Sequence, residues 1–161
     1  MTTTQSTTGS IGIQAGAKDK GVAAHFQRFH HLDFEVFSHK KWDQLHLSHS
    51  KDVVVHWPDG HVTKGIEQHI KDLAAMAVWT PDMSIQSHPV CVGAEEWTSV
   101  IGEMKGSFSK PMEVAPGKAV PPTGKAYILG MCTVGHWNKE GVMDEEYLFW
   151  DSGSFMKQIG L

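Results

Sequence analysis

The feature that most narrows the fold is a change of hydrophobic period at Pro81. Ahead of it apolar residues recur at helical spacing; behind it they come in long strand-like runs separated by turn residues. Val22, Phe26, Phe29, Leu32, Phe34, Val36 and Phe37 predict one amphipathic helix, with His31 as the point where it could break. A shorter helix carrying Trp42, Leu45 and Leu47 follows. Lys51-Asp52 leads into the β-branched run VVVHW, which Pro58-Asp59-Gly60 stops. Helical spacing returns through Ile66, Ile70, Leu73, Ala74 and Ala77. The remainder predicts strands near 83–92, 96–108, 125–138 and 142–150, with a turn at 93–95, another at Lys139-Glu140-Gly141, and a Pro-rich loop at 109–124. Helices followed by hairpin-connected strands describe an α+β domain, in which a curved antiparallel sheet wraps around the helices.

At 161 residues and 40% hydrophobic content the chain can build one core with a cavity inside it, and a second domain has no room. That domain is predicted over 21–161. Residues 1–20 are rich in Thr, Ser and Gly without an apolar period and predict a disordered tail. A formal charge of −4 and a single arginine, Arg28, give no footprint for a phosphate backbone, so nucleic acid is not an expected partner. No signal-like N-terminus or stretch of ~18 uninterrupted apolar residues predicts secretion or a membrane span. Cys91 and Cys132 lie far apart in strand-like runs, which suits buried free thiols in a reducing cytoplasm. Protonating all eleven histidines would add eleven charges and move the net charge from −4 to +7, so acid should matter to this chain.

Three segments in order, VVVHWPDGHVTKG, VPPTGKAY and EEYLFWDSGSFMKQIG, resemble the SnoaL-like polyketide cyclase family of the nuclear-transport-factor-two-like superfamily. With the helices before them they span about residues 22–161. The closing segment is the most specific: two acidic residues, an aromatic, a following Asp and a Gln-aliphatic-Gly ending. The resemblance implies a cone-shaped, barrel-like α+β fold of mixed or antiparallel sheet, with an internal pocket, a carboxylate on its inner wall, and a homodimer formed through the sheet. It also implies a cyclase or isomerase acting on a polyketide-like or other hydrophobic carbonyl compound by an intramolecular aldol reaction, with neither metal nor organic cofactor. Such a resemblance narrows the fold more than the chemistry.

An aldol cyclisation needs a proton taken from carbon beside a carbonyl and one delivered to the attacked oxygen; one carboxylate in an apolar pocket can serve both steps. Asp151 is the catalytic candidate, since it matches the family's closing Asp and is flanked by Leu148, Phe149, Trp150 and Phe155. The competing reading is a helix cap for Ser154 or Phe155. His136 is the second candidate. Strand alternation groups it with Ile128, Gly130, Cys132 and Val134; if that face points inward, the imidazole could donate to an enolate oxygen, and otherwise it is an interfacial histidine.

The substrate-binding candidates are Ser38, Trp42, His56, Trp57, Phe108, Cys132 and Trp150. Ser38 stands where relatives commonly carry Asn, and Gly106-Ser107-Phe108 where many carry Gly-Thr-His, which favours a more apolar ligand. Alternation allows only one of His56 and Trp57 to face inward.

The alternative function is a non-catalytic module binding a small hydrophobic metabolite, consistent with six Trp and eight Met. A metal site built from His46, His49, His56 and His61 matches no established spacing, so none is expected. A second subunit would cover a sheet face near Trp97, Met104 and Leu129.

Overall fold

The computed structural model describes residues 9–161. Its strands are β1 (Ser10–Ala15), β2 (His49–His56), β3 (Val62–Lys64), β4 (Ser84–Ile85), β5 (Ser87–Ala94), β6 (Trp97–Ser107), β7 (Met112–Ala115), β8 (Lys118–Val120), β9 (Ala126–Trp137) and β10 (Met143–Trp150). The helices are α1 (Lys20–His31), α2 (Ile66–Trp79) and α3 (Ser152–Ile159). A π-helical segment, Leu32–Phe37, continues α1, and a 3₁₀ segment, Trp42–Leu47, leads into β2. The predicted break at His31 is thus a widening of the helix, with i→i+5 bonds from Ser38 N–H to the Asp33 carbonyl and from Lys41 N–H to the Val36 carbonyl.

One eight-stranded sheet runs β1-β5-β6-β9-β10-β2-β3, with β4 also paired to β6. The pairings β1–β5 and β10–β2 are parallel and the others antiparallel. A separate β7–β8 hairpin occupies the Pro-rich loop, where turn composition had hidden two short strands. The helices fill the concave face of the sheet, and the mixed α+β architecture agrees with the expected cone.

Side-chain alternation decides which half of each strand enters the core. On β9 the buried set is Tyr127, Leu129, Thr133, Gly135 and Trp137, and on β6 it is Thr98, Val100, Gly102 and Met104. These meet Val22, Phe26 and Phe29 of α1 and Phe34, Val36 and Phe37 of the π segment in one cluster. Trp137 anchors it, fully buried, its indole N–H donating to Thr98 Oγ1 at 2.9 Å. Met104 and Leu129 therefore belong to the core and not to an exposed sheet face, whereas Trp97 is exposed.

The predicted tail differs from the structure over its second half. Residues 1–8 lie outside the described residues, but Ser10–Ala15 pair with Ser87–Val92 of β5. Every side chain of β1 is exposed, so main-chain hydrogen bonding holds this edge strand, and the short alternation Ile11, Ile13, Ala15 was its one apolar signal. Asp19 then caps α1, accepting from the Gly21 and Val22 amides at 2.7 and 3.0 Å.

Helix α1 approaches β5 closely at Gly93, where an added methyl would stand 2.6 Å from Val22 Cγ1 and 3.2 Å from Phe26 Cζ. Gly93→Ala is expected to cost about 1–3 kcal/mol in denaturant unfolding by overpacking this contact. Combining it with Val22→Ala should recover part of that cost. Strictly additive energies in the double-mutant cycle would show that the glycine serves some other purpose.

Candidate active site

The concave face of the sheet and the helices enclose a cavity lined by Leu32, Asp33, Phe37, Leu45, His49, Trp57, His69, Leu73, Met76, Ile85, Met104, Met131, Thr133, Glu146, Leu148 and Trp150. Most of this wall is apolar. Its free space is ≈ 50 Å³, well below the roughly 300–1,000 Å³ of pockets for drug-sized ligands. A ligand of that size would have to displace side chains, and the unbranched Met76, Met104 and Met131 are suited to move. Two carboxylates, Asp33 and Glu146, share this space, and the wall contains no lysine or arginine.

Asp33 sits on the first turn of the π segment, with its side chain 13% exposed. Its carboxylate Oδ2 lies 2.7 Å from His88 Nε2. His88 Nδ1 is 2.7 Å from His30 Nδ1, and His30 Nε2 is 2.7 Å from Gln14 Nε2 on β1. One set of neutral tautomers satisfies all three contacts: the Gln14 amide donates to His30, His30 donates through Nδ1 to His88, and His88 donates through Nε2 to Asp33. The result is an unbroken hydrogen-bonded chain from an exposed strand to the cavity. Burial raises the Asp33 pKa, with Glu146 adding to the effect, and the bond from His88 only partly offsets it. Burial, reinforced by His88, lowers His30 to about 4, which keeps it neutral at physiological pH.

Glu146 points inward from β10, 4% exposed. Its Oε2 lies 3.6 Å from His49 Nε2 and 3.4 Å from His69 Nε2, and has no hydrogen-bond partner among the described residues. Burial pushes the Glu146 pKa up, but the imidazoles of His49 and His69 outweigh it and hold the carboxyl below its ordinary range. His49 comes from the first residue of β2 and His69 from the cavity face of α2. Burial lowers His69 to about 4 despite the nearby carboxylate.

The sequence-selected residues divide. Trp57 and Trp150 line the cavity, their rings 6.5 Å apart and nearly perpendicular. Asp151 does not: it is exposed and caps α3, accepting from the Ser154 amide at 3.0 Å. Its strand has ended, so the apolar neighbours in sequence point elsewhere. His136 lies on the outer face of β9, paired with Asp144 at 2.6 Å and packed on Trp97. The alternation that grouped it with Cys132 holds, but the inward set is the other one. Cys132 is beside Ser99 Oγ at 3.3 Å on that outer face. His56 is also outward, bonded to Glu145 at 3.0 Å and stacked on Tyr147. Three others pack outside the cavity wall. Ser38 clamps the π segment to β4, its Oγ 2.7 Å from the Asp33 carbonyl and accepting from Ile85 N–H at 2.9 Å. Trp42 packs edge-on against Phe37. Phe108 is fully buried against Trp79.

The polar residues that do converge, Asp33, His88, His30, His49, His69 and Glu146, were missed as site residues. Some signal was present. Choosing Trp150 as inward implies by alternation that Leu148 and Glu146 are inward too. His69 lies three residues after Ile66 and four before Leu73, on the apolar stripe of its helix. Of the four histidines weighed for a metal, His49 alone reaches the cavity; His46 and His61 are exposed and His56 is on the opposite face.

Residues 25–159 match the family model described as SnoaL-like polyketide cyclase. Among solved structures, a candidate SnoaL-like polyketide cyclase from Jannaschia sp. CCS1 superposes with a TM-score of 0.74 at 17% identity, covering 85% of this chain and 92% of its own. IdmH, a candidate polyketide cyclase from Streptomyces antibioticus, gives 0.70 at 18% identity, over 85% and 99%. An NTF2-like protein of unknown function from Burkholderia pseudomallei K96243 gives 0.68 at 15%, over 86% and 98%. At these identities the structural matches speak for the fold. No curated protein matches the chain in sequence.

The depressed pKa of His30 makes stability depend on acid. The unfolded imidazole takes up a proton near 6.5 and the folded one only near 4, so the stabilisation is complete above 6.5 and is lost as pH falls through that interval. His30 alone should contribute on the order of 3 kcal/mol to that loss. Denaturant unfolding at successive pH values should show it, and His30→Leu should flatten the slope between pH 6.5 and 4. An identical slope in the variant would mean that the buried ring is not neutral.

Proposed function

The chain belongs to the SnoaL-like polyketide cyclase family, and on that premise we propose that it catalyses an aldol-type cyclisation or isomerisation of a hydrophobic carbonyl compound, with Asp33 as the group that moves the proton. The observation that carries this reading is the hydrogen-bonded chain Gln14–His30–His88–Asp33, which ends on a carboxylate in an apolar cavity. Asp33 as carboxylate would take the proton beside the carbonyl. As the acid it would return that proton to the attacked oxygen, and its raised pKa brings both forms closer to neutral pH. His88 would hold the carboxylate in place and carry protons along the chain. Trp57 and Trp150 would supply the apolar walls against which a polyketide-like ligand lies.

A second reading is a module that binds a small hydrophobic metabolite without changing it, which the mostly apolar wall also suits. Recovery of ligand chemically intact after prolonged incubation would favour it. We also propose a homodimer through the outer sheet face, because Val92, Trp97, Ile101, Ile128 and Phe149 are exposed there. Light scattering of the purified protein would read the mass directly.

The catalytic reading can be tested without the natural substrate. A poly-β-keto methyl ester in D2O should acquire deuterium beside its carbonyls faster with the protein than without it. Asp33→Asn should slow that exchange by about 10²-fold or more, while Asp151→Asn leaves it unchanged. The wild-type rate should climb with pH through a value above the ordinary carboxylate range, as the raised Asp33 pKa requires. Equal exchange in wild type and Asp33→Asn would remove Asp33 from the mechanism.

A further inference from the structure

We propose that His49, His69 and Glu146 form a binding site for one divalent first-row transition-metal ion, of the zinc or ferrous type, on the cavity wall. The side chains are 1%, 4% and 5% exposed respectively, and one ligand atom from each lies within 4.8 Å of the other two. Two ligand atoms bound tetrahedrally at about 2.1 Å from an ion stand about 3.4 Å apart. The carboxylate oxygen is 3.4 Å from one imidazole nitrogen and 3.6 Å from the other, too long for good hydrogen bonds and close to that spacing.

Unpaired atoms mark the same place. His49 Nε2, His69 Nδ1 and Glu146 Oε2 are all buried without a hydrogen-bond partner among the described residues. Leaving polar atoms of this kind unsatisfied is costly, and here two of them, His49 Nε2 and Glu146 Oε2, face each other at 3.6 Å, while His69 turns its other ring nitrogen, Nε2, to the same carboxylate oxygen. The far side of His49 is oriented as a ligand requires. Ser48 Oγ donates its one proton to the Leu45 carbonyl at 3.1 Å, so its 2.9 Å contact with His49 Nδ1 is an imidazole N–H donating to the hydroxyl. Nε2 is then the His49 nitrogen left to face the carboxylate, as a ligand atom must be if a cation is to sit between them. The other close group, His30, His88 and Cys91, is different, because its imidazoles already bond each other.

Two histidines and one carboxylate leave further coordination positions open, and these face the cavity that Asp33 also lines. An ion there could hold a carbonyl oxygen and stabilise an enolate while Asp33 moves the proton. That use rests on the acid–base reading above; the binding does not.

The test is titration of chelator-stripped full-length protein with Zn²⁺ by calorimetry, and with Co²⁺ by visible absorption. The expected result is one equivalent bound, with a Co²⁺ spectrum of low coordination number and a raised unfolding temperature. His49→Ala, His69→Ala and the near-isosteric Glu146→Gln should each weaken binding by about 100-fold or more. His46→Ala and His61→Ala, at exposed positions, should bind as wild type does. Glu146→Gln with native circular dichroism but no thermal shift on adding Zn²⁺ keeps the outcome separate from misfolding. Absence of binding, or binding lost with His46 or His61 and kept without Glu146, overturns the site. Asp33→Asn should retain Zn²⁺ affinity while losing exchange activity, so loss of activity there without any Zn²⁺ binding in wild type would sink the metal site and leave the acid–base reading standing.

Discussion

Two carboxylates facing one apolar cavity, with no lysine or arginine in its wall, set the terms for the rest of this molecule. An isolated buried charge is among the most expensive features a fold can carry, and the ordinary remedy of an ion pair with a strong cation is missing. Imidazoles take its place. Asp33 is met by His88 and its chain of hydrogen bonds, and Glu146 by His49 and His69. A neutral imidazole can hydrogen-bond a carboxylate without fixing a second charge in the cavity, as burial makes His30 and His69 prefer, whereas an arginine would stay charged.

The scaffold puts those groups where they are by local irregularity. The π-helical widening at Leu32–Phe37 follows regular α1, and the chain there must present Asp33 as well as the aliphatic and aromatic residues of the core. Ser38 ties the end of that segment to β4 through the Asp33 carbonyl and the Ile85 backbone. The edge strand β1, held by main-chain bonds, supplies Gln14 as the outer end of the hydrogen-bonded chain. The cavity sits under the centre of the sheet, where β10 pairs antiparallel with β9 and parallel with β2, so one wall draws on widely separated parts of the chain.

The architecture was largely legible. The 3.6 and 2.0 periods located α1, α2 and the long strands, and the closing segment pointed to the family. The site was much less so. His136 and Cys132 were grouped correctly with one another by alternation, but alternation has no sign: it says which residues share a face and not which face is buried. Asp151 carried the motif and the apolar neighbours of a pocket carboxylate, and it is also an ideal cap for α3. Proximity in sequence to Leu148 and Phe155 did not become proximity in space. Trp57 and Trp150 line the cavity, whereas the large rings of Trp97 and Phe149 lie exposed, so ring size alone does not choose the inward face.

What the sequence determined by itself is the order of α1, α2 and the long strands, most of the turns between them, and the stock of eleven histidines with almost no arginine. Those follow from residue-level preferences and short-range periodicity, which act over a few positions of chain. Only the tertiary structure decided that Asp33 would meet His88 and, through it, His30, and that Glu146 would face His49 and His69. Asp33 and His88 lie 55 positions apart, His30 and His88 58, Glu146 and His69 77, and Glu146 and His49 97. Their meeting depends on sheet register and on which side the helices cover, and no local rule specifies either.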